Sequence, residues 1–193
     1  MNSTPIAPST PDVHHETSLA HFPVALFSTV MGIAGLALAW QKAAHVLGWS
    51  GLVGQGLAAL AGLVFLVVAG FYGAKLLRHW AAARAEAAHP VKMNFVPAIS
   101  IGILLLATAW GRMAPEVASW MWGLGAALHL VFTLRTMSAW IHHTHFEIQH
   151  LNPAWFIPVV GNIIVPLAGV RFAPAEVSWF FFSIGLVFWI VLF

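Results

Sequence analysis

The side chains able to do chemistry are few, and histidine dominates them. His142, His143, His145 and His150 crowd one connector, and imidazoles at such spacing can share a helix face and hold a metal. They follow Trp140, where an interfacial amphipathic stretch would also place histidines. His129 stands alone in an apolar run. Haem ligation there needs a partner at similar depth, and no other apolar run supplies one, so a hydrogen-bonded structural role is the plainer reading. The chain has no cysteine, which excludes disulfides, thiolate metal sites and cysteine nucleophiles. Asp12, Glu16, Glu86, Glu116, Glu147 and Glu176 all fall outside the apolar runs. Proton- and cation-driven carriers usually keep an ionisable group in the membrane, and acidic rings select cations. A pathway without carboxylates therefore favours anions.

Backbone groups are the other resource. A proline deletes one amide donor and strands a carbonyl a turn back, and in a bilayer the freed group must meet protein, water or a cavity. At 100° per residue, Pro158, Gly161, Asn162, Val165, Pro166 and Gly169 share one helix face. Val160, Ile163, Ile164, Leu167 and Val170 lie opposite. The first face is small, kinked and polar, suited to lining a water-filled path or to close helix packing. Ser28, Gly32, Gly35 and Ala39 form a similar stripe, and Ser100 with Thr108 a weaker one. The glycines at 54, 56, 62, 70 and 73 read as packing residues.

These residues need a membrane to position them. Charged residues make up 7% of the chain and hydrophobic ones 60%, with a mean hydropathy of +0.85. A soluble domain needs about a quarter of its residues charged. The apolar runs cover about residues 22–40, 52–77, 95–110, 117–134, 154–170 and 178–193, each close to the ~20 residues of a spanning helix. The predicted architecture is an all-α membrane domain over 22–193, preceded by a mobile polar tail at 1–21. That tail has no Lys or Arg, which argues against a secretory leader. Lys75, Arg78, Arg84, Lys92 and Arg135 mark one side, and Lys42, Arg112 and Arg171 the other. The positive-inside rule then puts the amino terminus in the cytoplasm. A net charge of +2 is too small to suggest nucleic acid as a partner.

The runs also repeat. Phe22-Pro23-Val24, Phe95-Val96-Pro97-Ala98 and Phe156-Ile157-Pro158-Val159 open the odd runs, and Leu36-Ala37-Leu38-Ala39-Trp40 matches Leu106-Ala107-Thr108-Ala109-Trp110. The even runs hold no proline. The repeating unit is a hairpin with a proline-bearing first helix, and odd helices are expected to form an inner layer. The chain stops at Val191-Leu192-Phe193 without a polar flank, which suggests a sequence cut near its sixth span.

Three stretches carry a family resemblance: Phe22-Pro23-Val24 with Met31 to Gly35, His89 to Phe95, and Asn152 to Asn162. In order and placement they resemble the family of slow-type anion channels, tellurite-resistance membrane proteins and C4-dicarboxylate (malic acid) transporters. The resemblance implies ten helices in five hairpins around a central pore, of which six are present, assembled as a homotrimer in the inner (plasma) membrane. It implies a gating phenylalanine on a ninth helix, beyond this chain. The expected function is passage of small anions or C4-dicarboxylates, with no catalysis and no cofactor. Pore-lining candidates are Ser28, Gly32, Gly35, Pro97, Ser100, Pro158, Gly161, Asn162 and Pro166, with Lys92 attracting anions at the cytoplasmic mouth. The rivals are a proton-coupled malate carrier and a histidine-ligated redox membrane protein. Tellurite chemistry has no visible basis, since no cysteine offers a reductive route.

Overall fold

The computed structural model describes residues 18–142 and 153–193. Most of the amino-terminal tail and the histidines at 143, 145 and 150 lie outside the described residues. Among the described residues all regular elements are helical. Six stretches are long and apolar enough to cross a bilayer: Val24–Leu47, Leu52–Arg78, Lys92–Trp110, Pro115–His142, Pro153–Phe172 and Ala175–Leu192, here spans one to six. Their helices are α1 Phe27–Leu47, α2 Leu52–Arg78, α3 Trp80–Ala88 between spans two and three, α4 Ala98–Trp110 and α5 Pro115–His142. Span five contains α6 Phe156–Val160 and α7 Pro166–Phe172, and span six is α8 Ala175–Leu192.

Two helices outrun their apolar runs. α1 continues past Trp40 and ends at Gly48, whose φ of 72° gives the left-handed cap that glycine adopts without strain. α5 continues past Leu134. Hydropathy falls where side chains reach the interface, but helix propensity does not fall with it. The same reasoning explains α3, which occupies a stretch that hydropathy leaves as a connector. Its sequence is rich in alanine, the strongest helix former.

The prolines do not bend spans one and three from within. Pro23 caps the 3-10 turn Val24–Leu26, and Pro97 caps α4 where the 3-10 turn Lys92–Phe95 gives way to it. Pro158 sits in the first turn of α6, and Pro166 opens α7. At these places the missing amide has no intrahelical acceptor to lose. Prolines here mark where helices start, and span five starts twice, with the 3-10 segment Gly161–Ile164 between its halves.

The hairpin unit is visible in the packing: α1 lies on α2, α4 on α5, and span five on α8. Layering is simpler than an inner set of all odd spans. Buried residues make up 72% of the most apolar stretch of span three, against 17% to 33% elsewhere. α4 contributes to each of four apolar clusters, through Leu104, Ile101, Ala98 and Ala109 respectively. Span three is thus the axis, with spans one and five against its flanks.

Of the span-two glycines, two pack within the chain. A Cβ on Gly54 would meet Gln41 at 2.7 Å, and one on Gly62 would meet the Trp110 ring at 2.6 Å, whereas Gly56, Gly70 and Gly73 have nothing within 4 Å. The Trp110 ring cannot easily yield, because its Nε1 donates to Ala58 O at 3.1 Å. Gly62→Ala should therefore lower stability by about 1 kcal/mol, overpacking outweighing the gain in helix propensity. Gly70→Ala should raise stability by about 0.5–1 kcal/mol. Thermal unfolding in detergent reads the opposite signs.

Candidate functional site

Pro97, Ser100, Pro158, Gly161 and Asn162 meet in a buried seam joining spans three, four and five. Ser100 donates to Pro97 O at 2.8 Å and lies 2.9 Å from His129 Nδ1. A hydroxyl has one proton, so both bonds form together only when His129 donates from Nδ1. His129 Nε2 then points at Gly161, 3.0 Å from where a Cβ would stand. A fully buried ring packed this close to span five has no space beside Nε2 for a haem whose iron it could ligate. Thr133 Oγ1 lies 2.8 Å from His129 O and 2.7 Å from Pro158 O, and accepts from Asn162 Nδ2 at 3.0 Å. Asn162 also donates to Val159 O at 2.8 Å, and Trp122 Nε1 to Val165 O at 2.9 Å. The seam satisfies carbonyls loosened by the break in span five.

The remaining predicted residues stand elsewhere. Ser28, Gly32 and Gly35 lie along α1, and a Cβ on either glycine would meet nothing within 4 Å. Pro166 is half-buried and Lys92 exposed.

A different place gathers charge. The carboxyl ends of spans one, three and five enclose a cleft of about 260 Å³, with Lys42, Arg112 and Arg171 in its wall. Gln41, His45 and Thr108 also line it, and among the described residues no carboxylate does. Arg171 reaches across from span five to span three, with Nη1 3.4 Å from where a Cβ on Gly111 would stand. Gln41 and Thr108 have little left to donate. Gln41 Nε2 gives its hydrogens to Ala109 O and Gly54 O, and Thr108 donates to Leu104 O. Any anion in the cleft is therefore met chiefly by the three cations.

Basic residues near helix ends also complement the helix dipole, so the sign of the cleft needs arithmetic. Three helix carboxyl ends contribute roughly half a negative charge each. Three full cationic charges exceed that about twofold, so the cleft stays positive. A positive lining free of carboxylates among the described residues suits it to attract small anions.

Sequence reading treats Lys42, Arg112 and Arg171 only as markers of orientation. The repeat held the missing signal: Trp40-Gln41-Lys42 and Trp110-Gly111-Arg112 extend the matched closing motif by two residues. Two equivalent ends therefore carry a base at the same register.

Comparison with known proteins agrees with this chemistry. Residues 21–193 match the SLAC1 family, described as voltage-dependent anion channel. The S-type anion channel SLAH3 of Arabidopsis thaliana is 26% identical over 185 residues, covering 91% of this chain and 29% of that protein. The S-type anion channel SLAH2 of the same plant is 27% identical over 192 residues, covering 91% and 35%. The tellurite resistance protein TehA homolog of Haemophilus influenzae is 26% identical over 171 residues, covering 88% and 52%. The chain therefore spans between 29% and 52% of the length of these relatives.

Proposed function

Because the chain belongs to the SLAC1, or voltage-dependent anion channel, family, we propose that its basic cleft draws small anions to a passage running beside span three. The observation that carries this reading is the convergence of Lys42, Arg112 and Arg171 on one carboxylate-free cleft. Their summed potential raises the local anion concentration, and exposure to water keeps each contact weak enough for release. The stripe of Gly32 and Gly35, with open space beside it, continues the passage along α1. The buried seam of Pro97, Ser100, Pro158, Gly161 and Asn162 acts as its frame, fixing the angle at which span five carries Arg171 to the cleft.

The same reading places the protein in the plasma membrane as a homotrimer with a cytoplasmic amino terminus, so the cleft opens to the outer face. Exposed Lys92 lies at the opposite, cytoplasmic end of span three, where it concentrates anions at the second mouth. C4-dicarboxylates are substrates in this reading, each carboxylate finding a separate cation.

Flux through proteoliposomes tests it. Arg171→Glu should reduce chloride or nitrate flux several-fold at about 10 mM salt, where the Debye length is about 30 Å, and much less near 1 M, where it is about 3 Å. A loss equal at both salt concentrations, or no loss, overturns the electrostatic role. Malate uptake that collapses with an uncoupler would replace the channel by a proton-coupled carrier.

A further inference from the structure

The end of α1 borders a second hollow, which shares Gln41, His45 and Arg112 with the cleft. Between the turn after α1 and the end of α4 lies a depression of about 200 Å³, with His45, Trp49, Gln55, Arg112 and Met113 in its wall. It sits where spans one and three end and span two begins, which is the boundary between bilayer and water. Trp49 is 56% exposed and packs near Trp40, ring centroids 5.9 Å apart, in the manner of an interfacial anchor.

The wall is sorted by polarity. Arg112 and His45 are exposed and supply a guanidinium fork and an imidazole, and Gln55 adds an exposed amide. The fork matches the oxygen geometry of a phosphate. Apolar surface adjoins them: Met113 and Trp49, also in the wall, are exposed. Going round α2 at 100° per residue, Ala59 and Leu66 lie further down the helix within about 40° of Gln55, and both are exposed. An oxygen-rich anionic group in the depression thus has an apolar track leading from it down α2.

We propose that this depression binds the phosphate of a membrane phospholipid, with Arg112, His45 and Gln55 around the headgroup, Trp49 beside the glycerol, and the acyl chains along Leu66 and the outer face of α2. Head and tail chemistry side by side favour a lipid over a free anion, which would leave the track unused. The site adjoins the basic cleft at Arg112 and His45 but does not depend on anion passage.

Binding is read without flux, by titrating dioleoylphosphatidylglycerol into the purified chain in a neutral detergent and following thermal unfolding. Wild type should show a saturable rise in melting temperature. Gln55→Leu and Trp49→Ala, which border this depression and not the cleft, should raise the lipid concentration at half-effect by about fivefold or more. Trp49→Phe provides a milder variant should the alanine protein not fold, with a smaller shift in the same direction. Arg171→Ala, which borders only the cleft, should leave the lipid midpoint unchanged. Equal stabilisation by inorganic phosphate alone would make this a free-anion site and overturn the proposal. Equal stabilisation by dioleoylglycerol, which lacks the phosphate, would overturn it as well. Unaltered midpoints in Gln55→Leu and Trp49→Phe would place the lipid elsewhere. Because flux is not measured, the lipid site and the proposed anion passage fail or succeed separately.

Discussion

Glu86→Ala should destabilise the bundle by about 3–5 kcal/mol, the cost of leaving a buried charge without its partner. Glu86 is buried in α3, and Lys75 in the last turns of α2. Their side chains meet at 2.8 Å with relative exposures of 8% and 3%. The carboxylate does more than pair: Oε1 accepts the Val24 amide at 2.9 Å, and Oε2 accepts from Tyr72 at 3.5 Å. Lys75 also donates to Phe22 O at 2.8 Å. Four hydrogen bonds therefore tie the start of span one to α2 and α3, and the alanine variant strands an ammonium, an amide and a phenol. The double variant Lys75→Met/Glu86→Leu removes both charges and should recover most of the loss. Thermal unfolding in detergent of the two single variants and the double one makes the comparison. A Glu86→Ala protein that melts with wild type would show that the lock contributes nothing.

That lock shows where sequence reading reaches its limit. The six spans were legible because a bilayer forces every backbone group into a helix, so apolar length alone locates them. The hairpin order was legible from repeated motifs at the starts of odd spans. Lys75 and Glu86 were legible only as charges flanking a connector, since nothing local marks two residues eleven apart as a buried pair. Span five is subtler. Periodicity gives it a small polar face but does not say whether such a face meets water or another helix. Here it meets Ile101, His129 and Trp122. The cleft escaped for the opposite reason: each base looks ordinary at its own helix end, and only three ends brought together make a positive surface.

Gly161→Ala should cost about 2–3 kcal/mol, near the upper end for overpacking a core by one methyl. Gly161 has φ −53° and ψ −19°, a conformation any residue adopts, so the glycine is present for space. Its Cβ would stand 2.6 Å from Ile101 Cδ1 and 2.9 Å from His129 Cε1. Neither neighbour retreats easily. Ile101 is 2% exposed in the α1–α4 cluster, and the imidazole is held through Ser100. Ile101→Val removes the closest methyl. Alone it should cost about 0.5–1.5 kcal/mol as a cavity, but in the alanine background it should restore stability. That reversal of sign is a coupling two independent sites would not show. Function should follow, because the break at Gly161 sets the direction of α7, and α7 carries Arg171 to the cleft. The alanine variant should lose anion flux, and Ile101→Val should restore both flux and melting temperature. If stability recovers while flux stays low, the angle of span five does not govern the cleft. If neither recovers, Ile101 is not the side chain that Gly161 makes room for.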